Sequence, residues 1–494
     1  MQPKAMLIVM PSRIGVGEEF SIKVRVLGEV RGIPCVGQWN TMKPDLHGPF
    51  NLNVQRQIQF VDNTLPEWSG RLIVEAEGLE GPTELMFDGR NQGVYSNDPR
   101  PIKVFGGFHW SRPGFGFIRL TDPESGCTAS ANVACVTEDQ PSTRLFWGDP
   151  HWQTFFSDGI RCPEELYAFA RDEGFLDFGA ISDHMEAVTQ RQWEYFQAVT
   201  NDYNEPGRFV TLHGQEWTHH IQAYGAPGHR NIYYRGDGGP ILRCTDSDCN
   251  SLEKLWKKLD SFGGIDSIAI PHHPANTVMG VDWEQGWNPK YEKAVEIHSV
   301  WGNSERHSDD GNPLPLAAAC LKGEKRGRHV IDALKLGYRF GFVGGGDIHD
   351  GRPGDALNNE SYPARNFRSK PEGFTAVEVP TLTREHVFDA IVQHKTYATT
   401  QCRIYLDVRV DGSAAKPQVR VDAASEEGIA AVVVVRNGID SERITPDSDA
   451  RIVTADRSIG ELAREDFCYL RVETAGGNLA WSSPFWASTL DDTR

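Results

Sequence analysis

A central α/β domain with a mostly parallel sheet or barrel, flanked by β-rich modules at both ends, is the fold class this sequence predicts. Two patterns point to it. Between about residues 144 and 402, apolar strand-like runs alternate with helical or loop segments, whereas short alternating runs separated by Gly, Pro and Asn clusters fill the stretches on either side. Length agrees, since 494 residues exceed one small core and suggest about two or three domains.

The expected division is 1–143, 144–402 and 403–494. In the first part, Phe20 to Val26 alternates as a half-buried strand should, and Arg71 to Ala76 reads as another. Gly106 to Glu138, rich in Gly, Pro and Ser around Pro113-Gly114-Phe115-Gly116, is expected to be a long connection. In the central part the first strand covers Arg144 to Trp147. A helix opens at Pro163, an acceptable first-turn residue, shows Leu166, Phe169 and Ala170 on one face, and stops near Gly174. Further strands are expected at Phe178 to Ile181, Phe209 to Leu212, Ser267 to Ile270, Ala294 to Ile297 and Phe340 to Val343. After about residue 402 helices are expected to cease, with strands at 403–410, 418–421, 429–435 and 469–473.

Composition narrows the function. Lys and Arg number 50 against 68 Asp and Glu, giving a formal charge of -18, which argues against nucleic acid or an anionic membrane as the main partner. No run approaches the roughly 18 apolar residues of a membrane-spanning helix, and Met1 to Arg13 lacks the pattern of a secretory signal. We therefore expect a cytoplasmic protein; a homo-oligomer is allowed. The nine cysteines, from Cys35 to Cys468, suit reduced thiols better than a disulfide framework. Cys127 with Cys135, and Cys244 with Cys249, lack C-x-x-C spacing and are read as ordinary thiols.

The chemistry lies where the predicted strands end. Asp149-Pro150-His151-Trp152-Gln153 and Ser157-Asp158-Gly159 follow the first strand, and Asp183-His184 the second. The third leads into His213-Gly214-Gln215-Glu216, His219, His220 and His229-Arg230-Asn231, and the fourth into His272-His273. The fifth carries Glu296 and His298, and the sixth runs through Gly344-Gly345-Gly346 to Asp347 and His349. In a barrel of parallel strands such ends converge on one face. Imidazoles and carboxylates together suit zinc, manganese or iron, and a carboxylate such as Glu216 can bridge two metals. Each residue alone has a structural explanation: Asp-His pairs cap turns, His298 can sit inside its strand, and the glycine run can be a simple turn, since no Walker Lys-Ser/Thr follows it. Recurrence at successive strand ends carries the argument.

In this order the residues resemble the PHP superfamily of metal-dependent phosphoesterases, and within it the DUF3604 family, related to carbaryl-hydrolase-type metallohydrolases. The resemblance covers about residues 144–403 and rests on Gly148-Asp149-Pro150-His151, Asp183-His184, Gln215-Glu216, His229-Arg230-Asn231, His273-Pro274, Asp347-x-His349 with Gly351-Arg352-Pro353-Gly354, and Tyr397-Ala398-Thr399-Thr400. It implies a distorted seven-stranded β/α barrel holding up to three divalent metals (Mn, Zn or Fe). By position, the ligands are His151, Gln153, His184, Glu216, His229, His272, His273, Asp347 and His349. Gln153 stands where the motif has a second His, so one or two metals are expected to be held tightly, and Asp158 is a candidate replacement ligand.

The expected reaction is cleavage of an ester of a small molecule by metal-activated water. A phosphoester comes first, a carboxyl or carbamate ester or an amide second, and a catalytically inactive scaffold is the alternative from another class. Arg230 and Arg352 are candidates to hold an anionic group, with salt bridges as the alternative, and Asp183 or His184 to move a proton. Trp147, Trp152, Trp217, Trp283, Trp287 and Trp301 are candidates for an aromatic substrate wall, suited to an aromatic or sugar-like group, with core packing as the default.

Overall fold

The computed structural model describes residues 2–28, 65, 68–89, 101–159, 161–219, 227–263, 266–316, 323–355 and 370–491. His220 and Cys35 lie outside them.

The central strands are β1 (Arg144–Trp152), β2 (Phe178–Ile181), β3 (Val210–Thr211), β4 (His213–Trp217), β5 (Arg230–Tyr234), β6 (Ser267–Pro271), β7 (Ala294–Ser299), β8 (Gly341–Gly344), β9 (Gly373–Val379) and β10 (Thr396–Thr400). Between them lie α1 (Pro163–Asp172), α2 (Gln190–Asp202), α3 (Leu252–Ser261), α4 (Val330–Lys335) and α5 (Arg384–Val392). Pro163 starts α1 as expected, because proline has no N–H to lose in the first turn, and Leu166, Phe169 and Ala170 are buried. Thr189 caps α2 in a capping box with Gln192, and Ser251 caps α3 by accepting from Lys254 N.

The fold is mixed α/β, and its strands pair differently from the expected mostly parallel sheet. Among the described residues they form three hydrogen-bonded pieces, not one closed ring. β3, β2 and β1 pair in parallel, and β1 then pairs antiparallel with β9, which pairs antiparallel with β10. β4, β5 and β6 form an antiparallel meander, and β7 and β8 a parallel pair. Single bridges join the pieces, Trp152 to Ile348 and His184 to Glu216. The run His213-Gly214-Gln215-Glu216-Trp217 has no apolar alternation, yet all of it is buried as β4, so strand periodicity could not reveal it.

Gly106 to Glu138 is not a connection. It holds short strands at 102–110, 114–116, 119–121, 128–130 and 134–137, and its Gly and Pro residues mark the tight turns between them. Three of these strands join two four-stranded sheets, in which 5–9, 20–27, 102–110 and 79–80 neighbour one another in one, and 128–130, 119–121, 69–75 and 84–88 in the other, while 134–137 lies between 13–15 and 114–116 in a three-stranded sheet. Their shared core includes Ile22, Val24, Leu72, Leu85, Phe108 and Leu120.

Beyond residue 402 come strands at 405–413, 416–424, 429–436, 439–444, 452–458, 467–474 and 479–482. The last of these pairs with β10, so the central sheet continues past residue 402 without a break in hydrogen bonding. A helix at Ala487–Asp491 follows, where none was expected; its five residues are too few to show helical periodicity. Arg13 adds a link from the N-terminal side, donating to Glu378 Oε1 (2.5 Å), Tyr405 Oη (3.0 Å) and Asp407 Oδ2 (3.2 Å). None of the described cysteines is in a disulfide. No helix among the described residues is long and apolar enough to cross a membrane.

Candidate metal centre

The strand ends do converge. His151 lies near the end of β1, His184 follows β2, Glu216 is in β4, His272 and His273 follow β6, and Asp347 and His349 follow β8. His229 precedes β5, and because β5 runs antiparallel to both neighbours its start lies at the end where β4 and β6 finish. Alternation along β4 sorts its side chains: Gln215 donates to Tyr234 Oη and the Pro240 carbonyl, and Trp217 to the Cys249 carbonyl, whereas Glu216 faces the cluster.

Glu216 is the hub. Its Oε1 lies 2.8 Å from His229 Nδ1, 3.1 Å from His272 Nε2 and 3.2 Å from His184 Nδ1, and its Oε2 lies 3.5 Å from His151 Nε2. His151 Nε2 is also 3.2 Å from Asp347 Oδ1, which is 3.6 Å from His349 Nδ1. Asp158 Oδ1 meets His349 Nε2 at 3.2 Å and His184 Nε2 at 3.4 Å. Two ligands each roughly 2.1 Å from a tetrahedral ion stand about 3.4 Å apart, so these spacings suit side chains that share cations. Among the described residues, three groups have ligand atoms all within 4.8 Å of one another: His229, His272 and His273; His151, Glu216 and His272; and Asp158, His184 and His349.

Hydrogen-bond accounting supports the fit. His151 Nε2, both ring nitrogens of His272, His273 Nδ1 and Asp347 Oδ1 are buried without a hydrogen-bond partner. Leaving such atoms unpaired costs about 1–3 kcal/mol each, a penalty that cation ligation removes. Backbone strain gathers here too, since His273 and Asp347 hold φ values of 32° and 51°.

Partners behind the candidate ligands fix their orientation. Glu296 Oε2 lies 2.9 Å from His151 Nδ1, which leaves Nε2 toward Glu216 and Asp347. A shift in the β7–β8 register between Glu296 and His298 breaks the expected alternation: Glu296 reaches the cluster, while His298 bonds the Pro371 carbonyl and stacks on Trp481. The glycine run is a matter of space. A Cβ on Gly345 would lie 2.0 Å from Glu296 Oε2, and one on Gly346 would lie 2.3 Å from Asp149 Oδ2.

Electrostatics follow the pairing. Burial pushes the Glu216 carboxyl up, but His184, His272 and His229 outweigh it and hold the group well below its ordinary value. Burial lowers His151, yet Asp347 and Glu296 raise it well above 6.5. Burial likewise opposes the rise of His349 to about 9, which Asp158 and Asp347 produce. His229 is lowered to about 4, chiefly by burial.

Other predicted residues are placed differently. Gln153 arrives as a hydrogen-bond donor, its Nε2 giving to Glu216 Oε2 (2.8 Å) while its Oε1 accepts from Ser157 Oγ. Asp183 Oδ1 accepts from Thr154 N, Thr154 Oγ1 and Ser157 Oγ, so this carboxylate anchors the 153–158 loop; burial raises it to about 6. Arg230 is not brought to the cluster. It is fully buried, its Nε 2.7 Å from Glu292 Oε1 and its Nη1 bonded to the Pro227 carbonyl. Arg352 pairs with Asp355 (3.3 Å) and Asp350 (3.7 Å). His219 packs on Trp217. Trp147, Trp217, Trp283 and Trp287 donate to groups away from the centre, Trp152 donates to Asp149, and Trp301 reaches Asp347. Glu296 was read among the strand-end residues but not as a ligand, and Thr218 was not singled out; Thr218 Oγ1 donates to Glu216 Oε1 at 2.8 Å, and the signal for it was its place two residues beyond Glu216, just past the end of β4.

These features define a mixed α/β protein with groups of His and carboxylate side chains that could hold a metal ion. Comparison with known proteins adds a family match: residues 164–308 match the family described as "Protein of unknown function (DUF3604)". That span includes His184, Glu216, His229, His272 and His273 but not His151, Asp347 or His349. An uncharacterized protein of Chlamydia muridarum is 27% identical over 76% of this chain, and one of Chlamydia pneumoniae 28% over the same share. The chain spans 63% of the length of each. A crystal structure from Bacteroides vulgatus, described as a two-domain protein containing a predicted PHP-like metal-dependent phosphoesterase, is 13% identical over 68% of this chain and 92% of its own, with a TM-score of 0.34.

Proposed function

We propose that this chain is a divalent-metal-dependent hydrolase that cleaves an ester bond of a small molecule. The observation that carries the proposal is the Glu216 carboxylate, with imidazole nitrogens of His151, His184, His229 and His272 all within 3.5 Å of its two oxygens. Bound among these residues, manganese, zinc or iron supplies an activated water and polarises the scissile group. The chain's own part is to place and hold. Glu216 joins the His151–His272 group to His184, Asp347 joins His151 to His349, and Glu296 sets the His151 tautomer. Asp183 holds the loop that carries Gln153 and Asp158, which leaves His184, beside Asp158, as the better placed of the two to hold a proton for the leaving group.

The order of motifs, which resembles PHP phosphoesterases, favours phosphoesters. One observation favours the second class, neutral carboxyl or carbamate esters: both guanidinium groups expected to clamp an anion are engaged by carboxylates, Arg230 by Glu292 and Arg352 by Asp350 and Asp355. The deciding experiment measures bound metal in purified protein and then assays chromogenic phosphate, carboxylate and carbamate esters with added Mn2+ or Zn2+. Stoichiometric metal with turnover of phosphate esters supports the first reading. Turnover of carboxylate or carbamate esters alone replaces it with the second, and protein that binds no transition metal overturns both.

A further inference from the structure

Trp301 stands in a hairpin built to aim its ring. β7 ends at Ser299, whose Oγ accepts from Trp301 N (3.3 Å); Gly302 then takes φ 124°, and Gly302–Asn303 pairs back on His298–Ser299. Val300 N donates to the Gly346 carbonyl (3.1 Å), tying this hairpin to the segment that carries Asp347 and His349. The indole Nε1 donates to Asp347 Oδ2 at 2.5 Å, and the ring meets His349 edge-on, with centroids 5.8 Å apart at 67°.

This contact divides the Asp347 carboxylate. Oδ2 accepts from the indole and has His272 Nδ1 only at 4.0 Å, while Oδ1 faces His151 Nε2 (3.2 Å) and His349 Nδ1 (3.6 Å) and lacks a hydrogen-bond partner. An unrestrained carboxylate can chelate one cation through both oxygens. Indole nitrogen only donates, so it takes up one lone pair of Oδ2 and makes that oxygen the weaker candidate for a cation. Backbone rotation offers no escape, because the neighbours of Asp347 are fixed on both sides: Gly346 N donates to Asp149 Oδ1, and Ile348 N to the His151 carbonyl. Trp301 is 7% exposed, so solvent is a poor substitute donor.

We propose that Trp301 is a positioning residue that keeps Asp347 a one-oxygen ligand and so preserves an open coordination position for water or substrate. This inference rests on the metal-centre reading above. Trp301→Phe tests it, because phenylalanine keeps an aromatic ring beside His349 and removes the N–H. Both proteins are loaded with Co2+, whose visible absorption weakens as its coordination number rises. The expected result is a variant that still binds Co2+ but absorbs roughly twofold or more less per bound ion, as geometry-sensitive d–d bands should. A wild type that binds no Co2+ overturns the metal centre itself; a variant with the wild-type spectrum and affinity overturns only the role of Trp301. Should the variant fail to fold, by circular dichroism, the hydrogen bond is read in intact protein labelled with 15N-tryptophan. An indole N–H signal far downfield and broadened by Mn2+ supports the proposal, and absence of any such signal overturns it.

Discussion

Two histidine–carboxylate clusters of similar composition sit in the central part of this chain, and they differ in whether their hydrogen bonds close. Around Glu324, the carboxylate accepts from Ser308 N (2.8 Å) and lies 3.1 Å from His329 Nε2 and 3.6 Å from His307 Nε2. His307 Nδ1 accepts from Asp309 N, and His329 N donates to Asp332. No ring nitrogen of His307 or His329 is a buried atom without a partner, and the cluster is not among the groups whose ligand atoms crowd together. Around Glu216 the reverse holds, with buried nitrogens and oxygens left open at ligand spacing. Residue types therefore do not separate the candidate metal centre from a polar knot; the two differ in the balance of donors and acceptors.

The largest effect that can break this contrast is at Glu216. Glu216→Gln keeps the shape but removes the charge that faces four imidazoles, and one amide end becomes a donor aimed at ring nitrogens. We expect loss of stoichiometric metal and at least about a 1,000-fold loss of hydrolysis, as when metal-supplied water activation is removed. Metal analysis beside the ester assay checks it; a variant that holds metal as tightly as wild type removes Glu216 from the centre.

How much of this was legible in the sequence depends on the residue. His151, Glu216, His229, His272, Asp347 and His349 could be read because each follows or flanks an apolar run, and convergence of strand ends needs only topology. The fold reading survives in its coarse form, since β1–β3 and β7–β8 are parallel, but the antiparallel meander of β4 to β6 was hidden by the polar run His213-Gly214-Gln215-Glu216. Glu296 and His298 both belong to the fifth strand, and only the register shift between them, which no local pattern shows, accompanies the contact of one with His151 and of the other with Trp481. Arg230 looked available beside His229 because its partner, Glu292, is distant in sequence. Such pairings depend on tertiary contacts that no local pattern encodes.

A carboxylate-paired histidine and a lone one should respond to pH in opposite directions. His349, raised to about 9 by its carboxylates against the pull of burial, favours the protonated fold. Its contribution is full below the unfolded value near 6.5 and is lost as pH rises through 9. His298 has only the Pro371 carbonyl to offset burial and is lowered to about 4, so its cost appears as pH falls from 6.5 toward 4. Each limb amounts to on the order of 3 kcal/mol. In chelator-treated protein, His349→Asn should flatten the alkaline limb of unfolding stability and His298→Asn the acid limb. Denaturant titrations across pH 4 to 9 check both, and equal slopes in all three proteins would remove the distinction.

The smallest effect should come from the closed cluster, and it is the sharper control. Burial works against the Glu324 carboxylate, but Ser308 and His329 hold it below its ordinary value, so it acts as an acceptor. Glu324→Gln keeps an oxygen for Ser308 N and replaces a charge-assisted contact to His329 with a neutral one, a change of about 1 kcal/mol in stability. Metal content and ester turnover should stay at wild-type levels, because no open coordination set is disturbed. Measured beside Glu216→Gln, with the same substitution of residue types, the pair isolates unpaired geometry from composition. A loss of metal on changing Glu324 would mean that satisfied hydrogen bonds do not identify the inert cluster, and the criterion that singles out Glu216 would fall with it.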